Sequence, residues 1–194
     1  MTDAKMRNAI QLVALLNLAY FGFEFAVAIS IGSVSLFADS IDFLEDASVN
    51  FLILLALGWS AAARSRVGMV LAGILLIPGL ATLWMAWHKF NLPVAPNAVS
   101  LSLTGLAALA INVFCAFTLA RYRSTGGSLT RAAFLSARND AFANVAIVGA
   151  GVITAFTLSA WPDLIVGLGI AILNADAARE VYHAARAEHS EAHS

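Results

Sequence analysis

The stretch Asn97–Ala120, NAVSLSLTGLAALAINVFCAFTLA, runs from end to end without a charged residue. A helix needs about 20 predominantly apolar residues to cross the hydrocarbon core of a bilayer, so this segment alone reads as a transmembrane span. Val67–Trp87 and Ala141–Pro162 are uncharged runs of the same kind. Composition agrees: of 194 residues, 60% are apolar and 12% charged, and the mean hydropathy is +0.82, far from the roughly 25% of charged residues in soluble domains. Working outward from the uncharged runs, spans are expected near residues 8–30, 34–59, 67–90, 97–120, 132–158 and 162–184. The prediction is an all-α membrane protein with six transmembrane helices, a single domain over 1–184 followed by a short tail over 185–194. Apolar runs of this length do not suit a β-barrel, whose strands alternate over about ten residues. The longest connection, Arg121–Arg131, contains Ser-Thr-Gly-Gly and reads as a flexible turn.

Basic residues set the expected orientation. The two termini and the second and fourth connections hold Lys5, Arg7, Arg64, Arg66, Arg121, Arg123, Arg131, Arg179 and Arg186, whereas the opposite side holds Lys89. That asymmetry places both ends in the cytoplasm of a multi-pass protein, with a bacterial inner membrane as the expected location. Trp59, Trp84, Trp87 and Trp161 fall near span ends, where amphipathic rings prefer the interface. A formal net charge of −1 argues against a nucleic-acid partner. The single cysteine, Cys115, excludes an intrachain disulfide and any cysteine-cluster metal site. Lys5 and Arg7 precede a run long enough to span, without a small-residue cleavage pattern, so no cleaved signal is expected. Gly126-Gly127 lacks the Gly-Lys-Ser/Thr ending of a phosphate loop, no His-Glu-x-x-His motif occurs, and no nucleophile and base form a set, so an enzyme is not expected.

Acids inside the spans carry the functional signal. The segment Ala38-Asp39-Ser40-Ile41-Asp42-Phe43-Leu44-Glu45-Asp46 concentrates four of the twelve acidic residues, and a carboxylate at the bilayer centre costs about 2.5–3.5 kcal/mol even on lenient scales. Asp42 and Asp46, four residues apart, stack on one helix face about 6 Å apart along the axis. Asp39 lies one turn earlier on roughly the same side, and Glu45 points somewhat aside. Asp140 and Asn144 repeat the four-residue spacing in the fifth span. Two helices carrying Asp42, Asp46, Asp140 and Asn144 suit a site that binds a divalent cation or protons through oxygen ligands. Two alternatives fit the same spacing: a structural network in which the acids pair with Arg138, Asn17 or Asn112, or a span drawn in the wrong place.

The residues then resemble the cation diffusion facilitator family, whose members export Zn²⁺ and related divalent metals in exchange for protons. Asn17-Leu-Ala-Tyr-Phe-Gly-Phe-Glu24 and Gly32-Ser-Val-Ser-Leu-Phe-Ala-Asp39-Ser-Ile-Asp42-Phe-Leu-Glu-Asp46-Ala are similar to its first two helices. Gly105-Leu-Ala-Ala-Leu-Ala-Ile-Asn112 resembles the end of its fourth-helix pattern, and Trp161-Pro-Asp163-Leu-Ile-Val-Gly-Leu the opening of its sixth. The resemblance implies that Asp42, Asp46, Asp140 and Asn144 hold the transported metal, and that the protein forms a homodimer. Asn144 stands where the family usually carries aspartate, which removes one charge and one titratable group from the site. The chain also stops about ten residues past the sixth span, so the cytoplasmic metal-sensing domain common in the family is not expected.

The cycle implied by that resemblance starts with deprotonated Asp42, Asp46 and Asp140 attracting a divalent ion from the cytoplasm. Helices rock outward when the cluster is neutralised, and protons replace the released metal. Zn²⁺ is the first expectation, with Cd²⁺ and Co²⁺ as companions, while oxygen ligands without histidine lean toward Mn²⁺ or Fe²⁺. The metal is cargo, and no cofactor is expected. Glu24 and Asp39 are assigned either to outer contacts of the site and proton relay or to helix packing. Asp163 reads as the N-terminal acid of the sixth helix. His183, His189 and His193 belong to a solvated tail. A proton-coupled organic-cation carrier and a nontransporting scaffold or sensor are the competing functions.

Overall fold

The computed structural model describes residues 2–56, 80–122 and 127–174. These form α1 (Thr2–Ile31), α2 (Val34–Ala56), α3 (residues 80–91), α4 (Ala98–Ala120), α5 (Gly127–Thr157) and α6 (Trp161–Asn174). Among the described residues there is no strand. Ala4–Ile31, Ala98–Ala120 and Ala133–Thr157 are long and apolar enough to cross a membrane. α2 matches them in length but carries the four acids. The chain is an all-helical membrane protein.

Most helix boundaries fall where the apolar runs place them, and the exceptions have a common cause. α1 begins at Thr2 instead of near residue 8, and α5 at Gly127 instead of near residue 132. Residues 127–131, expected in the flexible connection, are therefore helical. An apolar run marks the part of a helix that lies in lipid, but hydrogen bonding continues past the interface because each added turn satisfies more backbone. The end of the second span with Trp59, the first part of the third span, and residues beyond 174, including the tail and its histidines, lie outside the described residues.

Local chemistry fixes the turns. Gly32 adopts φ +64°, a conformation costly for any side chain, and lets the chain reverse between α1 and α2. Ser33 then caps α2, its Oγ accepting from the Leu36 N–H at 3.1 Å. Asn97 does the same for α4, accepting from the Ser100 N–H at 2.9 Å.

α1 packs along α2 and α4 along α5, while α2 also crosses α5. One apolar cluster joins Leu36, Ile41, Leu101, Ile147 and Ile170; a second joins Ile10, Val13, Ile53, Leu119 and Ala137. Phe23, Leu103, Phe117, Phe142 and Phe156 project outward, as lipid-facing side chains do. Trp87, Phe90 and Trp161 meet at one end of the bundle, with ring centroids 6.4 and 5.8 Å apart, an arrangement suited to the interface. Small residues let helices approach closely at two places: Gly151 lies against Ser102, and Gly167 against the backbone of Val34 and Ser35. A Cβ on Gly167 would come within 2.7 Å of that backbone, whereas one on Gly169 meets nothing within 4 Å. Gly167→Ala is therefore expected to cost about 1–3 kcal/mol in an unfolding titration, with Gly169→Ala as the neutral control.

Candidate metal site

The inward faces of three helices follow helical periodicity. On α1, Asn17, Tyr20, Glu24 and Ala28 are buried at intervals of three or four residues; on α2, Asp39, Asp42, Asp46, Asn50 and Ile53; on α5, Ala133, Ala137, Asn144 and Ile147, with the half-buried Asp140 between the second and third. The polar members of these stripes therefore cannot reach lipid and must face one another.

Asp42, Glu45 and Asp46 of α2 line a cavity of about 540 Å³ together with Ser136, Asn139 and Asp140 of α5 and Ile170, Leu173 and Asn174 of α6. Asp46 is the best anchored: its Oδ1 accepts from Ser136 Oγ at 2.9 Å and its Oδ2 from Asn17 Nδ2 at 3.4 Å. Asn17 in turn accepts from Cys115 Sγ at 3.6 Å, so the Asp46 carboxylate ties together α1, α2, α4 and α5. Among the described residues no three His, Cys, Asp or Glu side chains converge tightly enough to form a finished metal cage. The acids are wall groups of an open cavity.

Of the four ligands expected from sequence, Asp42, Asp46 and Asp140 share this cavity. Asn144 does not line it. It is fully buried, with its Nδ2 donating to the Asp140 carbonyl oxygen at 2.7 Å and to Asp39 Oδ1 at 3.2 Å. Glu24 is also fully buried, its carboxyl within hydrogen-bonding reach of that of Asp39, and no other side chain or N–H among the described residues donates to either of its oxygens. Glu45, set aside in the sequence reading, belongs to the cavity because its wall is wide enough to admit a side chain offset from the Asp42–Asp46 line. Of the network partners weighed, Asn17 does bond Asp46, but Arg138 is exposed and donates to Asn139 Oδ1 at 3.2 Å.

A second polar cluster went unseen in the sequence. Asp163 is completely buried and caps α2 as well as opening α6: its Oδ1 accepts from Ser33 Oγ at 2.6 Å, Ser35 Oγ at 2.7 Å and the Ser35 N–H at 3.1 Å. Its Oδ2 accepts from the Val34 N–H at 3.0 Å and pairs with Lys89 Nζ at 2.7 Å. Lys89, 6% exposed, also donates to the Gly32 carbonyl oxygen. One carboxylate thus joins α3, the α1–α2 turn, the start of α2 and the start of α6. The sequence signals were a lysine alone on its side of the membrane and two serines at the start of an acid-rich helix, and the acceptor lies 130 residues away from Ser33.

A comparison with curated proteins finds no match to the chain. Residues 10–186 match the cation efflux transmembrane domain. That match covers nearly all of the helical bundle and includes both acid-bearing helices, so the chain belongs to the cation efflux, or cation diffusion facilitator, family: it is a membrane transporter of metal cations and not an enzyme.

Proposed function

We propose that the chain exports divalent cations from the cytoplasm in exchange for protons, taking Zn²⁺ first and Cd²⁺ and Co²⁺ beside it. The carrying observation is that carboxylates from two helices, Asp42 and Asp46 of α2 and Asp140 of α5, face one open cavity between α2, α5 and α6. Acids so placed mark ion pathways, because their burial is costly unless they serve one. The cavity lies at the middle of α2 and α5, and the basic residues of the connections cluster at the Ala56 and Gly127 ends of those helices. By the positive-inside rule that side is cytoplasmic. The opposite end is closed by Asp163 and Lys89.

A divalent ion entering the cavity neutralises the acids, and neutralisation removes the penalty for rearranging them through a low-dielectric interior. After outward release, protons take its place and allow the return. Donors here are oxygens, which favours a second reading, Mn²⁺ or Fe²⁺ as cargo, over sulfur-loving ions. A homodimer in a bacterial inner membrane is proposed on the family resemblance.

The test is flux of Zn²⁺, Cd²⁺, Co²⁺ and Mn²⁺ into liposomes carrying the purified protein and an imposed pH gradient. Flux should require the native chain, collapse with the gradient, and vanish in folded Asp42→Ala and Asp140→Ala variants. Metal flux indifferent to the gradient would remove proton exchange, and equal flux in the variants would remove the site.

A further inference from the structure

Behind the cavity, Glu24, Asp39 and Asn144 form a separate group on α1, α2 and α5. Asp39 is one turn from Asp42 toward the start of α2, about 4.5 Å along the axis, and Asn144 is one turn from Asp140 toward the end of α5, about 6 Å. α2 and α5 run in opposite directions, so both displacements point the same way, toward the end closed by Asp163. All three side chains are fully buried. The Asn144 amide nitrogen holds Asp39 Oδ1 at 3.2 Å, and the Glu24 carboxylate lies beside that of Asp39.

Four oxygens of this group, Glu24 Oε1 and Oε2, Asp39 Oδ2 and Asn144 Oδ1, are cut off from solvent and meet no donor side chain or N–H among the described residues, while the Glu24 and Asp39 carboxyls lie within hydrogen-bonding reach of each other. Buried polar atoms are almost always satisfied, and each exception asks for a missing partner. Here the missing partner has a definite chemistry. The orphans are all oxygens on adjacent side chains from three helices, so what completes them is a positive charge, either a metal cation or a proton held between the Glu24 and Asp39 carboxyls, and not another acceptor. Two carboxylates and one carboxamide supply a charge of −2, which a divalent ion balances, and oxygen donors of this kind suit first-row divalent metals.

We propose that Glu24, Asp39 and Asn144 form a second, enclosed divalent-cation site, one helical turn further along the pathway than the cavity. The site itself stands on the four unsatisfied oxygens; its place on a route rests on the function proposed above. Asn144 then has a role distinct from that of a fourth cavity ligand. It orients Asp39 through its nitrogen and offers its oxygen to the ion. An aspartate at that position would place a third carboxylate against Asp39 and remove the donor that positions it.

The experiment is Zn²⁺ binding to the purified full-length chain by titration calorimetry, in a background carrying His183→Gln, His189→Gln and His193→Gln so that the tail contributes no ion. Glu24→Gln and Asp39→Asn are each expected to bind one ion fewer than the parent, and Asp42→Asn and Asp140→Asn are expected to keep that ion. Thermal unfolding supplies the second readout. Glu24→Gln gives Asp39 a donor, so without metal its midpoint should rise, while the further rise on adding Zn²⁺ should shrink. Stoichiometry unchanged in Glu24→Gln and Asp39→Asn, but lowered in Asp42→Asn, overturns this inference and leaves the cavity intact. Loss confined to Glu24→Gln and Asp39→Asn supports it and overturns the cavity assignment. No Zn²⁺ bound by the folded parent overturns both.

Discussion

Lys89→Met is expected to destabilise the protein by about 3–5 kcal/mol, the cost of leaving a buried carboxylate without its counter-charge. Asp163 is fully buried and pairs with Lys89 at 2.7 Å. Losing the ammonium leaves the two serine hydroxyls and the Val34 and Ser35 N–H groups to hold the charge. Those donors already serve the end of α2, so they cannot also supply the missing cation. The double change Lys89→Met with Asp163→Asn removes the charge as well as its partner and should recover part of the loss. It should not recover all of it, because the neutral amide has one oxygen where the carboxylate offered two, and Val34 or Ser35 loses its cap. Denaturation in detergent at low and high salt reads the effect. A buried pair is screened little by salt, so the single-variant loss should persist at high ionic strength. A change of less than about 1 kcal/mol, the range of exposed pairs, would show that Lys89 is hydrated and the knot is open.

The second large effect is on transport. Asp46→Asn keeps the size of the side chain and an oxygen for Ser136 Oγ, which lies 2.9 Å from the native carboxylate. The chain should therefore fold. Zn²⁺ flux, however, should fall by at least about 100-fold, since even groups that only support a metal's ligands cost 10–100-fold when removed, and Asp46 faces the cavity itself. If Asp46 only ordered the bundle, the outcome reverses: the neutral variant would lose stability through Asn17 and Ser136, and flux per folded molecule would stay near the native value.

How much of this was legible depends on the distance over which each interaction acts. Asn97–Ala120 announced its helix because nothing in it is charged, and Asn97 announced the start because a cap acts on N–H groups only a few residues away. The pairing of Asp42 with Asp46 was equally plain, being a property of one helix. That Asp140 faces them followed from the repeated spacing. Asn144 was different. Spacing put it on the correct helix face, but a face about one turn deep serves both the cavity and the enclosed group, and only the packing of α1 against α2 decides which. Glu45, offset from the Asp42–Asp46 line, lines the cavity all the same, since helical angles describe a line and the cavity has a width. Asp163 was read correctly as opening α6, yet its partners come from α1, α2 and α3, and no local pattern encodes such a meeting.

That meeting also has a consequence for synthesis. Ser33 and Ser35 leave the ribosome early, within the first helical hairpin, whereas Asp163 follows about 130 residues later. At some 5–20 residues per second, the translocon releases α1 and α2 well before their capping acceptor exists. Until α6 enters the bilayer, the Val34 and Ser35 N–H groups and the Lys89 ammonium must stay wet at the membrane surface. The last helix therefore acts as a closing key, and a nascent chain halted before it would present an unsealed hairpin to membrane proteases.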